Sequence, residues 1–256
     1  MLDGIAIASG LGVGLIVGIT GVGGGSLMTP LLLSVFKLSP AVAIGTDLWF
    51  ACLTKVSGSV AHARHGHVNW LIVRRLLAGS VPASLATIAL MHFTGITKGW
   101  ASALTVALGI ALLLTAVVVA FKQSWQALGL RLERWIPDTR KPGLTVLSGL
   151  VLGVLVSLSS IGAGAIGATL ILLLYPRLKA RDIVGTDIAH AVPLTLVAGL
   201  GHASLGNVNW ELLVSLLIGS LPGIWLGAQL TRRLPDGIVR SLLCVSLLMA
   251  GWKVIH

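Results

Sequence analysis

Charge is what this sequence has least of: Asp, Glu, Lys and Arg together make up 10% of its 256 residues. With a mean hydropathy of +0.97, that leaves too little polar side chain to coat a soluble globule of this length. The chain therefore reads as a multi-spanning membrane protein. Acids are scarcer still, 8 against 18 Lys and Arg, for a formal net charge of +10. In a soluble chain that excess would point to nucleic acid. Here the basic residues cluster in short gaps between apolar runs, as anchors facing the cytoplasm do, so the expected partner is the lipid bilayer and not nucleic acid. Cysteine is nearly missing. Cys52 and Cys244 both lie inside apolar runs, where a lone thiol behaves as a small hydrophobe, and suggest neither a disulfide framework nor a metal site. The start, Met1-Leu2-Asp3-Gly4, lacks the basic region of a signal peptide and leads into a patterned apolar segment, so the first helix is expected to be retained. The patterns H-E-x-x-H, G-x-S-x-G and Gly-x-Gly-Asp are absent, which argues against an intramembrane enzyme.

What the chain does contain, it contains twice. Gly45-Thr46-Asp47, His62, Gly66-His67-Val68-Asn69-Trp70 and Gly79-Ser80-Val81-Pro82 return as Gly185-Thr186-Asp187, His202, Gly206-Asn207-Val208-Asn209-Trp210 and Gly219-Ser220-Leu221-Pro222, at a constant offset of 140 residues. This is an internal duplication, and it directs attention to where the copies meet.

Residues 4–20 carry Gly10, Gly14 and Gly18 at four-residue spacing, a stripe that admits close approach of another helix. Gly21-Val22-Gly23-Gly24-Gly25-Ser26 follows, a stretch no helix interior favours, so a break is expected before the next apolar run, 26–36. The second copy repeats the arrangement with Gly149, Gly153 and Ser157, then Ser159-Ser160-Ile161-Gly162-Ala163-Gly164, then 165–175. These glycines are not a nucleotide fingerprint, because neither a preceding strand nor a Walker Lys-Ser/Thr accompanies them, and no cofactor is expected. The remaining runs, 42–61, 70–91, 99–121, 181–201, 210–230 and 238–255, are each near the roughly 20 residues a spanning helix needs. Each repeat then reads as a glycine-broken or re-entrant helix pair followed by three full helices. That makes an odd number of crossings, so the second copy should be inverted.

Charge supports the inversion. Arg64, Arg74 and Arg75 fill a gap of copy one whose counterpart in 202–210 has no Lys or Arg, whereas Arg177, Lys179 and Arg181 answer a lone Lys37, and Arg232, Arg233 and Arg240 answer Lys98. With the connector 122–142 inside, basic loops stay cytoplasmic throughout and both termini fall outside. Within the connector, Trp125, Leu128, Leu132 and Trp135 share a helical face, which suits a short helix lying on the inner leaflet. The fold expected is an all-α polytopic bundle of two inverted-topology repeats, 1–121 and 143–256, joined by a cytoplasmic connector.

The glycine-rich break before Thr29-Pro30, the Gly-Thr-Asp, the His-x-x-x-Gly-x-Val-Asn-Trp and the Gly-Ser-x-Pro, all occurring twice, resemble the sulfite exporter TauE/SafE family over essentially the whole chain. That resemblance implies a bacterial inner-membrane permease exporting sulfite or a small organosulfur anion such as sulfoacetate, driven by the proton gradient. A passive anion channel is the alternative, with an intramembrane enzyme further off. A homodimer is compatible with the sequence. Two departures from strict symmetry stand out: Ala165-Ile166 where the glycine cluster continues in copy one, and Asn207 in place of His67.

The chemistry rests on polar residues inside apolar runs. Lys55 lies deep in 42–61, where an ammonium costs about 2.5–3.5 kcal/mol even on lenient scales, so it must face a partner, water or substrate. Two readings stand, a salt bridge to Asp47 or Asp187 and an anion site. Its counterpart is Thr195, and that one-sidedness suits a single binding site. Thr46 and Thr186 are candidate substrate ligands or caps, and Asp47 and Asp187 candidate proton carriers or caps. His190 shares a face with Asp187, and His62 and His202 end their helices; these three are further proton-coupling candidates or satisfied histidines. His65 and His67 near His62 have no carboxylate or thiol beside them, so no metal is assigned. At the breaks, restarting helices would offer free N–H groups and a positive dipole end to an anion. This makes Gly23, Gly24, Gly25, Ser26 and Thr29 of one break, and Ser159, Ser160, Gly162 and Gly164 of the other, candidate substrate-binding residues. A kink that merely allows close packing is the competing reading.

Overall fold

Apolar runs of this length become helices because lipid offers no partner for a backbone N–H or C=O, so each must be satisfied within its own segment. The computed structural model describes residues 3–20, 25–94, 101–231, 244–245 and 247–249, and every regular element among them is helical. In chain order they are α1 (Gly4–Thr20), α2 (Gly25–Ser34), α3 (Pro40–Arg64), α4 (Trp70–Thr94), α5 (Ala101–Ala120), α6 (Lys122–Leu132), α7 (Lys141–Ser159), α8 (Ala165–Leu174), α9 (Ala180–Ser204) and α10 (Trp210–Thr231). The duplication reaches the helix ends: α2 and α8 are both 10 residues long, and α3 and α9 both 25. Most of the run 238–255, and Gly21 to Gly24 of the first break, lie outside the described residues.

Among the described residues four helices, α4, α7, α9 and α10, are long and apolar enough to cross a membrane, or five spans if α5 and α6 count as one bent pair. The expected spans therefore need two adjustments. α3 matches α9 in length but is not among the four, because it carries Asp47, Lys55, His62 and Arg64 along with Thr46 and Thr54. α7, expected as a broken half, is long enough to span by itself, and only α8 after it is short.

Helices pair across the two copies. α1 lies along α10 and α7 along α4, with α3 and α9 packed together between them. Glycine is what lets α1 and α10 touch. A Cβ on Gly10 or Gly14 would run into the backbone of Leu216 or Ser220, and one on Gly219 or Gly223 into that of Ile7 or Leu11. Since lipid tails are as apolar as leucine, association here rests on close packing and not on escape from water. α3 and α9 run antiparallel, because the start of each meets the loop that follows the other: Asn209 N–H donates to Thr46 Oγ1 and Asn69 N–H to Thr186 Oγ1, both at 3.0 Å.

The two ends of the bundle differ in charge. At one end Arg75 donates to the Tyr175 hydroxyl at 3.4 Å, Tyr175 meets Thr145 at 2.8 Å, and Glu133 pairs with Arg177 at 3.0 Å and Lys141 at 3.6 Å. Those contacts gather the starts of α4 and α7, the connector and the α8–α9 loop. At the other, Asp3 N–H donates to Ser215 Oγ at 3.3 Å, which joins the start of the described chain to α10. α6 turns 86° away from α5. Its packed face is centred on Trp125, Gly129 and Leu132, with Leu128 38% and Trp135 83% exposed, so the face shared by all four apolar residues in the sequence is rotated in the fold.

The glycine contact has a direct test. Gly14→Leu forces a side chain into the Ser220 backbone and is expected to destabilise by at least the 1–3 kcal/mol or so of an overpacked core. It should read as a lower melting temperature in detergent, while Gly12→Leu, where a Cβ meets nothing within 4 Å, leaves the melt unchanged.

Candidate functional site

The site is assembled where α3 and α9 cross. Gly45 and Gly185 let the opposite loops close down: a Cβ on Gly45 would strike the Asn207 carbonyl, and one on Gly185 the His67 carbonyl and the His62 ring. Thr46 and Thr186, fully buried, accept from the Asn209 and Asn69 amides of those loops, so their hydroxyls are committed to holding the crossing. Asn69 and Asn209 in turn accept from Ile72 N–H at 3.3 Å and Leu212 N–H at 3.1 Å, as side-chain caps at the starts of α4 and α10 do.

One residue further on, the two acids turn inward. Asp47 is fully buried, its Oδ2 accepts from the Thr29 hydroxyl of α2, and its Oδ1 has no hydrogen-bond partner. The Ser160 hydroxyl faces this carboxylate without closing a well-formed hydrogen bond. Asp187 is 2% exposed; its Oδ1 is also unpartnered and lies against Gly167, where any side chain would collide with it. The Gly164 amide faces the Asp187 carboxylate.

Lys55 closes the cluster. It is 8% exposed, its Nζ donates to the Ala163 carbonyl at 2.6 Å, and it feels the charge of Asp187 first and Asp47 second. Neither acid is within the 4.0 Å of an ion pair, so the direct salt bridge considered from sequence does not form. The ammonium is instead anchored to the backbone of the second break. That break is strongly bent: Ser160 has φ 58°, Gly162 φ 126° and Gly164 φ 144°, before α8 begins at Ala165. The two glycine positions are ones a residue with a side chain rarely adopts.

Thr29, Asp47, Lys55, Ser160, Gly164 and Asp187 thus converge, with contributions from α2, α3, α9 and the second break. Other candidates do not join them. Ser159 spends its hydroxyl on Leu155 O at 2.7 Å and accepts from Ile161 N–H at 3.2 Å. Gly162 packs on Leu155 and Val156. Gly25 opens α2, while Gly23, Gly24 and the Ser26 side chain lie outside the described residues. His62 sits at the end of α3 with its ring 5.9 Å from that of His67. His202 is buried, with Nε2 2.9 Å from the Ser157 carbonyl. His190 is buried beside Lys55, but its Nε2 meets Ser80 Oγ at 2.9 Å and no hydrogen bond joins it to Asp187. Sequence reasoning missed Ser80 as the partner of His190 although it lies in the repeated Gly-Ser-x-Pro; it also missed Gly167 and the Ala163 carbonyl, which carry no polar side chain to announce them.

Comparison with known proteins identifies the family. The model of the family described as sulfite exporter TauE/SafE matches residues 6–254. The chain is 38% identical over 252 residues to the probable membrane transporter protein YjnA of Bacillus subtilis, covering 97% of this chain and 98% of that protein. It is 27% identical over 246 residues to the probable membrane transporter protein YdhB of the same organism, at 93% and 94% coverage. The probable membrane transporter protein MJ0441 of Methanocaldococcus jannaschii is 22% identical over 257 residues, at 93% and 90%. No solved structure matches. A multi-pass helical chain matched from end to end by that family model and by transporters of its own length belongs to the sulfite exporter TauE/SafE family of membrane transporters.

Proposed function

We propose that the chain is a secondary transporter that exports sulfite or a small organosulfur oxyanion such as sulfoacetate, coupled to the proton gradient. The observation that carries this reading is Lys55, one buried ammonium anchored on the second break beside two buried carboxylates that each keep an oxygen unpartnered. A small oxyanion suits such a site because it can take the ammonium from a neutral carbonyl and receive N–H groups where a helix restarts. Binding an anion next to Asp47 and Asp187 raises the local negative charge, and a proton on either carboxylate relieves it. By reciprocity, anion binding and proton binding then favour each other. The acids are the proton carriers in this reading and His190, held by Ser80, is a secondary one.

Flux of sulfite and of sulfoacetate in sealed vesicles is expected to rise when a pH gradient is imposed at clamped membrane potential. A flux indifferent to the gradient would assign a passive channel instead.

Lys55→Ala is expected to abolish anion binding while the protein still folds, with Lys55→Arg keeping part of the affinity at altered geometry. If the ammonium only neutralises the acids, Lys55→Ala would cost of order 3–5 kcal/mol of stability, restored when it is combined with Asp47→Asn or Asp187→Asn. A well-folded double mutant with normal flux would overturn the binding role.

We further propose that 1–121 and 143–256 are inverted copies in a bacterial inner membrane, with both termini outside and 122–142 inside. The exchanged contacts Asn209–Thr46 and Asn69–Thr186 support a two-fold relation between the copies, and the gathering of Arg75, Lys141 and Arg177 at one end supports its orientation. With both native cysteines replaced by serine, an impermeant thiol reagent added to intact cells is expected to modify Leu2→Cys and spare Asp138→Cys. The opposite pattern would reverse the topology.

A further inference from the structure

The elbow between α5 and α6 leaves a groove of about 540 Å³, within the roughly 300–1,000 Å³ of small-molecule sites. Val117 and Phe121 at the end of α5 form one wall, closed by Trp125, whose Nε1 donates to the Val118 carbonyl at 3.1 Å, and Ser124, Ala127, Leu128 and Arg131 of α6 form the other. The spacing of these last four, i, i+3, i+4 and i+7, is one continuous helical face. The adjoining face of α6 is already used: Leu132 is half-buried, and Gly129 is pressed on α8, where a Cβ would come within 3.0 Å of the Leu172 carbonyl and 3.2 Å of Pro176. The groove is therefore a distinct surface, built by the 86° turn that lays α6 across the direction of α5.

Its chemistry is graded. The floor from Val117 through Phe121 to Leu128 is apolar, and the rim carries a hydroxyl, Ser124, and a guanidinium, Arg131. Glu133 is engaged by Arg177 and Lys141, while Arg131 has no ion-pair partner among the described residues. If α5 crosses the bilayer, the floor lies at the level of lipid tails and the rim at that of headgroups. The same end of the bundle carries Arg134, Arg140, Lys141, Arg177, Lys179 and Arg181, a local excess that attracts a headgroup of net negative charge and repels a choline or ethanolamine ammonium.

We propose that this elbow seats one anionic phospholipid, with its phosphate on Arg131 and Ser124 and an acyl chain along Val117, Phe121 and Leu128. Arginine suits this role because its planar fork meets phosphate oxygens in pairs. The site is separate from the Lys55 cluster and makes no use of the transport reading, so either can fail alone.

Native mass spectrometry of the full chain in mild detergent, titrated with phosphatidylglycerol or phosphatidylcholine, tests the assignment. One phosphatidylglycerol is expected to be retained in preference to phosphatidylcholine, and millimolar inorganic phosphate should not displace it. Arg131→Gln should lower the apparent affinity roughly tenfold or more, as loss of a charge-assisted contact does. Phe121→Ser should weaken both lipids, and Lys37→Gln at the other end should change nothing. Arg134→Gln, two residues past the end of α6 and outside the groove, separates a seat from general surface charge. Equal retention of the two lipids, displacement by phosphate, or an Arg134→Gln loss as large as that of Arg131→Gln would each overturn the proposal, as would undiminished phosphatidylglycerol binding by a normally melting Arg131→Gln protein.

Discussion

An ammonium and two carboxylates held out of water constrain everything around them. Isolated in an apolar interior, each charge would cost several kcal/mol even after relaxation, and attraction between them offsets this only if the remaining donors and acceptors are also engaged. The bundle meets that demand from its backbone. The second break turns the Ala163 carbonyl onto Lys55 and the Gly164 amide toward Asp187, and α2 brings the Thr29 hydroxyl to Asp47. An unbroken helix could not do this, since its amides and carbonyls are already bonded to one another. The second break and the buried charges are thus one feature, each needing the other.

Holding α2 and the second break against a crossing pair requires a rigid frame, and in lipid the frame cannot come from the hydrophobic effect. It comes from backbone-to-backbone approach. Glycines on α1 and α10 remove the side chains that would keep the axes apart, and the same device joins α7 to α4 through Gly149, Gly153 and Gly79. Each of these pairs joins one copy to the other. Neither copy can therefore complete its packing alone, and the charged cluster sits where both contribute.

Much of this was legible in the sequence because it is written in residue types that have few other uses. A constant 140-residue offset, glycines at four-residue spacing and a lysine inside an apolar run each have a narrow physical meaning, and the helix ends, the close pairs and the buried ammonium follow them. Other parts were hidden because partners are not a property of spacing. His190 and Asp187 share a face by periodicity, yet the ring turns to Ser80 on α4, a choice made by the packing of α9 on α4. Thr46 and Thr186 looked like ligands or caps of their own helices, and instead they clamp the loop of the other copy, which only tertiary structure could bring near. On α6 the apolar residues span more than one face, and the contact of Gly129 with α8 decides which face is packed.

The duplicated frame carries chemistry that is not duplicated. Where copy one has Lys55, copy two has Thr195, a neutral residue whose hydroxyl returns to the Ala191 carbonyl of its own helix at 2.8 Å. Where copy two has His190, copy one has Phe50, fully buried in an apolar cluster. The acids remain in both copies, but their environments differ: Asp47 has a hydroxyl donor from α2, while Asp187 lies against bare Gly167. A single ammonium near the two carboxylates, supplied by copy one alone and held by the Ala163 carbonyl, makes the cluster unlike on its two sides. It is at positions 50, 55, 190 and 195 that the duplicated frame departs from its own repeat, and all four lie on the crossing pair α3 and α9 that the rest of the bundle holds together.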